Sequence, residues 1–248
     1  MSNATRGNLI AGCGTHKISR AELARIPTPQ GTLTHQPVPH IQLVEALIET
    51  LGFRRITVVA DEYAVSKDGN RMFGLLELDY EFSGCRFAIG LRNANDKSMR
   101  LALTVGYRVF VCSNMAFKGD FTPVLSKHSK NFNLIDCLSV GVDRIQRNFK
   151  PLERTIEDWK ACELSDLRAK LVIYEAFVEG KLQVNPRLMK AVHHHYFNPQ
   201  YEAMATSTLW SLSNAFTSTF KDLKPVQQYQ ATARLGPFLE SYRMSIDA

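Results

Sequence analysis

The sequence predicts an α+β protein: an antiparallel four- or five-stranded sheet, preceded by a helix and followed by a long kinked helix and a helical C-terminal part. Three observations predict it. Between Arg55 and Ser113 apolar residues alternate with polar or small ones, the period of strands buried on one face. After Lys130 the apolar spacing changes to three and four, the period of amphipathic helices. Two alternating runs flank Lys67-Asp68-Gly69-Asn70, and Asp-Gly there signals a hairpin because both turn positions favour positive φ.

Residues 1–38 are rich in Gly, Thr and Pro, including Pro27, Pro29 and Pro37, and proline disfavours helix. They predict an extended arm that lies on the body or reaches a neighbour. Residues 39–130 form the strand-rich core. Its helix runs from Pro39 to Leu51, with Ile41, Val44, Leu47, Ile48 and Leu51 on one face and Gly52 as the stop. Strands are expected over 55–65, 71–80, 82–92, 99–105 and 107–113, with some neighbouring runs joined as one bent strand. Residues 131–248 form a helical region packed on this core. Leu138, Val142, Ile145, Phe149, Leu152, Ile156 and Trp159 make one long stripe, with a kink at Pro151. Ser165 caps a second helix ending at Gly180, Asn185-Pro186 opens a third, and Leu209, Leu212, Phe216, Phe220 and Leu223 mark a fourth.

With 248 residues, 45% of them hydrophobic, the chain can bury a large core without disulfides or metals. No apolar stretch reaches the roughly 18 residues of a membrane span, and Met1 to Ile10 lacks a signal-peptide core, so a cytoplasmic protein with no membrane partner is expected. Five cysteines without a C-x-x-C pair read as buried thiols. The net charge of +6 is concentrated: residues 84–130 hold eight lysines and arginines against two acidic residues, and the rest of the chain balances. Such a concentration points to a polyanionic partner.

Alternation sorts Cys85, Phe87, Ile89 and Leu91 to one face and Arg86, Ala88, Gly90 and Arg92 to the other. Repeated over the following strands, it collects Arg86, Arg92, Arg100 and Arg108 on a surface lined by small residues, which a phosphate backbone can approach. The competing reading packs a helix on the small residues and leaves the arginines at strand ends in water. Candidate nucleic-acid contacts are Arg86, Arg92, Lys97, Arg100, Arg108 and Lys118 for phosphates, Asn93, Asn95 and Asn114 to orient backbone or bases, and Phe117 or Phe110 to stack. The polar loop from Arg92 to Ser98 also reads as an ordinary turn.

The G-x4-G-K-[ST] loop is missing, so nucleotide-triphosphate chemistry is not expected, and G-x-S-x-G is absent. Cys13-x-x-His16 with His35-x4-His40 has one cysteine and no second short knuckle, a poor zinc set. Consecutive His193, His194 and His195 point about 100° apart on a helix and cannot converge on one ion. No catalytic residue, metal or cofactor is assigned.

The segments Pro37-Val38-Pro39-His40, Gly90 to Ser98, Gly106 to Asn114, Phe117-Lys118-Gly119-Asp120 and Leu209 to Thr217 resemble a phage- and plasmid-borne family of unknown function, nearly along the whole chain. The resemblance implies a mobile-element setting. In that family the loop usually reads Asn-Ser-His-Asp; here Asn95 stands in the histidine's place, so a role that needs the imidazole is not implied for this chain. The order of helix, basic antiparallel sheet and long helix is also similar to that of Rad52-like single-strand annealing proteins, which work without ATP as rings or filaments. The expected function is therefore a homo-oligomeric, ATP-independent protein that binds single-stranded nucleic acid. The alternatives are a protein-interaction module, such as an inhibitor of a host protein, and a metal-dependent enzyme using Asp96, Asp120 and nearby histidines.

Overall fold

The computed structural model describes residues 15–111, 114–117, 122–223 and 225–246. The chain opens with β1 (Thr15–Ile18) and a one-turn helix α1 (Arg20–Leu23). Ser19 caps α1 reciprocally: its hydroxyl accepts from Glu22 N while its own amide donates 2.7 Å to the Glu22 carboxylate. Part of the expected arm is thus a strand. β1 pairs antiparallel with β2, from Thr15 opposite Ser66 to Ile18 opposite Tyr63. Residues 1–14 lie outside the described residues.

Helix α2 (His40–Phe53) starts behind Pro39 as the prolines require, and its Leu43, Val44, Leu47 and Leu51 are fully buried, each contributing about 1.5–3 kcal/mol. The strands follow: β2 (Val58–Ser66), β3 (Arg71–Phe82), β4 (Cys85–Ala94), β5 (Leu101–Val109), β6 (Met115–Phe117) and β7 (Val124–Ser126). All pairs are antiparallel, in the order β1-β2-β3-β4-β5-β6. Strand β5 carries two partners on its outer side, β6 against residues 106–108 and β7 against residues 101–103.

The sheet has seven strands where four or five were expected, because β1, β6 and β7 are too short to show an alternation in the sequence. Of the expected runs 99–105 and 107–113, residues 101–109 form the single strand β5. Gly106 in its middle is no break: a Cβ there would lie 2.2 Å from the Ala116 carbonyl oxygen, so only glycine lets β6 come this close. The 66–71 hairpin forms, but with one positive φ, at Gly69. Gly69 N donates to Ser66 O at 2.9 Å, while the Asp68 carboxylate accepts from Ser66 Oγ and Asn70 N. Those bonds hold Asp68 outside the left-handed region and its carboxyl far below the usual range.

One face of the sheet, including Phe87, Ile89, Leu103 and Val105, shares a single core with the helices. The predicted long helix is α3 (Leu134–Arg147) followed by α4 (Phe149–Ala161), bent at Asn148 and not at Pro151. Pro151 sits in the first turn of α4, where its missing N–H costs nothing. Its ring would meet the carbonyl four residues back, at Arg147, and the chain tightens there: Asn148 N donates to Ile145 O at 2.9 Å. The stripe survives the bend, since Leu138, Val142, Ile145, Phe149, Leu152, Ile156 and Trp159 are all buried. Gly141 seats α3 on β7, where a Cβ would come 2.3 Å from Val124 Cγ2.

Ser165 caps α5 (Asp166–Phe177), and Asn185 accepts from Arg187 N to start a 3-10 turn leading into α6 (Met189–Phe197). Helices α7 (Leu209–Phe220) and α8 (Pro225–Ile246) complete the fold. Helix α8 escapes a sequence reading because Pro237 lies inside it and disguises a 22-residue helix as a loop. No described helix is long and apolar enough to cross a membrane.

Candidate functional site

Parity gathers the arginines as the alternation requires. Arg86 stands opposite Arg108 and Arg92 opposite Ala102, all on the face turned away from the main core. The two ends of that face then differ. At one end, guanidinium groups directly opposite each other would repel, and each is drawn to carboxylates instead. Arg86 pairs with Glu81, its neighbour across the β3–β4 turn, and also lies 5.2 Å from the centroid of the exposed Phe110 ring. Arg108 reaches across β4, past the small Ala88, to Glu77, and lies 3.5 Å from Glu62 Oε1. The Arg108 and Glu77 side chains are only 11% and 10% exposed. The expectation that Arg86 and Arg108 offer free charge is thus corrected: carboxylates from β2 and β3, outside the basic segment, already neutralise them.

At the other end, Arg92, Lys97, Arg100 and Lys127 have no ion pair among the described residues. Lys97, Arg100 and Lys127 rim a recess of about 490 Å³ whose lining includes His35 and His128. Three segments meet there. The β4–β5 turn is shaped by Asp96, which accepts from Ser98 N at 3.0 Å and lies 3.6 Å from Arg71 Nε. Burial opposes ionisation of Asp96, yet the Ser98 bonds and the Arg71 charge hold its carboxyl below the usual range. Lys97 takes φ 63°, a conformation that costs a non-glycine residue about 1–3 kcal/mol.

The second segment is the arm. His35 stacks on His128, with ring centroids 5.6 Å apart, and its ring nitrogens lie 2.9 Å from His128 O and 3.2 Å from Asn95 O. Asn93 and Asn95, expected to face a ligand, are buried and lock this arm down. Asn93 Nδ2 donates to Val38 O (2.9 Å) and to His40 Nδ1 (2.9 Å), and Asn95 Oδ1 accepts from Val38 N (3.1 Å). His40 Nε2 donates to Gly69 O at 2.9 Å, so one neutral tautomer satisfies both its bonds, and burial pushes its pKa down.

The third segment follows β7 and supplies His128. It is 5% exposed, and neither ring nitrogen has a hydrogen-bond partner among the described residues. Burial first, then the neighbouring His35 and His40, push its pKa down to about 4.

Asn114 is also corrected. It is buried, and its Nδ2 donates to Asn214 O and Oδ1, both at 3.1 Å, tying the start of β6 to α7. Lys118 lies outside the described residues, as do Cys13 and Asp120. Phe117 is 6% exposed and folds onto the small residues of the sheet, where a Cβ on Gly90 would lie 2.8 Å from its Cε1. Tyr229 of α8 packs beside it, with centroids 5.7 Å apart, so a helix does cover part of this face. Between Phe117, Tyr229 and the floor of Gly90, Ala102 and Thr104 remains a cleft of about 170 Å³ that Arg92 borders. Arg92 Nε and Thr104 Oγ1 are buried with no hydrogen-bond partner among the described residues. Among the described residues no group of three or more His, Cys, Asp or Glu is placed to hold a metal ion.

Sequence reasoning missed Lys127 and His128 as site residues, because β7 was not visible, and missed Tyr229 with α8. Fold and site together define a helix-backed antiparallel-sheet protein whose second face ends in unpaired cations. The chain belongs to the family described as Domain of unknown function (DUF932), which matches residues 33–236. That span holds β2 to β7, the recess and the cleft. No curated protein and no solved structure matches the chain.

Proposed function

We propose that this protein binds single-stranded nucleic acid through the phosphates, without ATP, in the manner of a single-strand annealing protein of a phage or other mobile element. One observation carries the reading: Lys97, Arg100 and Lys127, with no ion pair among the described residues, surround a recess that also holds His128, whose ring nitrogens have no hydrogen bond there. A phosphate there meets three cations and the His128 imidazole without breaking an existing ion pair. The contact surface moves accordingly, from the sheet platform of Arg86 and Arg108 to the β4–β5 turn.

The test is anisotropy of a labelled single-stranded oligonucleotide over a salt series. Binding is expected at micromolar protein and low salt, and it weakens as counterions return. Replacing Lys97, Arg100 and Lys127 together by Ala reduces the slope of log K against log salt by about 2, at roughly 0.7 per phosphate lost. The His128 resonance moves to a higher pKa when the strand binds, because an anion favours the imidazolium. No binding, or an unchanged slope in the triple variant, sinks the proposal.

A second reading, self-association as a protein-contact module, is favoured by α5. Its Leu167, Leu171, Tyr174 and Val178 are exposed at spacings of 4, 3 and 4, the pattern of a helix-to-helix seam. Concentration-dependent mass in sedimentation, lost in Leu167→Asp, supports it; the mass of one chain at every concentration removes it.

A further inference from the structure

We infer that the cleft beneath Phe117 and Tyr229 takes one unstacked nucleobase of the strand whose phosphates the recess holds, an inference that rests on the proposed function. Continuity is the first argument. Strands β4, β5 and β7 each lead from cleft to recess within two residues, from Arg92 to Ala94, from Ala102 to Arg100 and from Leu125 to Lys127. Two residues keep the same face and advance about 7 Å. A ligand with an apolar ring at one end and a phosphate at the other spans both.

Size and shape are the second. An apolar cavity of about 150 Å³ accepts a benzene-sized ring; the cleft, at about 170 Å³, suits a single ring system. Its floor is kept low by Gly90 and Ala102, and its aromatic walls, Phe117 and Tyr229, offer the faces on which bases stack.

The third argument separates a base from a plain apolar guest. Arg92 Nε and Thr104 Oγ1 are both buried without a hydrogen-bond partner among the described residues, and Thr104 is 7% exposed. A hydrocarbon would leave these groups unsatisfied, at a cost that buried polar atoms rarely bear. A base edge supplies ring nitrogens and keto oxygens that accept from Arg92 and Thr104. A keto-bearing pyrimidine matches this donor set in a space of one ring.

The experiment compares, on the full chain, a labelled thymidine oligonucleotide with an abasic strand of the same length and phosphate count. The thymidine strand is expected to bind about tenfold more tightly, the scale of one stacked base. Thr104→Val, which keeps the shape, and Tyr229→Ala, at a partly exposed helix position, weaken binding of the thymidine strand and leave the abasic strand unchanged. Circular dichroism melting of each variant confirms that it folds. Equal affinities for the two strands, with the salt slope intact, overturn the base pocket while the recess reading survives. Equal weakening of both strands by Thr104→Val and Tyr229→Ala overturns it as well. Failure of both strands to bind overturns the recess reading and the base pocket together.

Discussion

The two ends of the open sheet face carry the same residue type on the same strands with opposite consequences. Arg86 and Arg108 sit where β2 and β3 present Glu62, Glu77 and Glu81, and their charge is spent inside the sheet. Arg92 sits where those strands present Phe73 and Ala64, and neither it nor Arg100, just before β5, has an ion pair among the described residues. What an arginine does on a sheet is therefore set by its cross-strand neighbours and not by its own strand.

The largest effect should come from the paired end. Glu77→Ala leaves the Arg108 guanidinium nearly buried beside Glu62 alone, a situation that typically costs about 3–5 kcal/mol. Urea unfolding should show that loss, whereas Lys97→Ala, Arg100→Ala and Lys127→Ala stay within about 0.5 kcal/mol of the parent. A stability loss as large at the open end would erase the contrast between the two.

Packing ranks next. Gly90→Ala forces the Phe117 ring off the sheet, and Gly141→Ala wedges α3 away from Val124; each should cost about 1–3 kcal/mol by thermal melting. Gly90→Ala reports on the cleft and Gly141→Ala only on the core, so loss of strand binding should follow the first and not the second.

Acid sharpens the comparison further. His40 and His128 have folded pKa values below the ordinary 6.5, that of His128 at about 4. The unfolded chain thus binds more protons, and stability is complete above about pH 6.5 and declines as pH falls toward 4, by at most about 1.4 kcal/mol per pH unit for each imidazole. His128→Phe should flatten part of this slope in urea titrations. A slope unchanged in that variant means His128 is not held neutral.

The smaller effect of the two ion pairs belongs to the exposed Arg86–Glu81 pair. With Glu81 53% exposed, Glu81→Ala should change stability by no more than about 1 kcal/mol, and salt should screen the difference. A cost matching that of Glu77→Ala would show that burial does not separate the two pairs.

Long periodic segments were legible: α2, the core strands and the stripe from Leu138 to Trp159 all follow the spacing of their apolar residues. Hairpins and caps were readable at Asp68-Gly69, Ser165 and Asn185, where a side chain bonds its own backbone. Three-residue strands were not, since β6 and β7 are held by β5 and not by any pattern of their own. Of the site, Lys97 and Arg100 were named as candidate contacts without the recess that they line, whereas Asn93, Asn95 and Asn114, expected to face a ligand, are buried. A polar loop and a buried polar clasp have the same composition, and only the positions of Val38, His40 and Asn214 tell them apart.

By itself the sequence determined which side chains share a face, because alternation on a strand and the 3.6-residue turn of a helix are local steric facts. It determined too that positive charge is concentrated between residues 84 and 130. Only the tertiary structure decided which of those charges are neutralised, because Coulomb attraction falls with distance in space. Glu77 is far from Arg108 along the chain and in contact with it across the sheet.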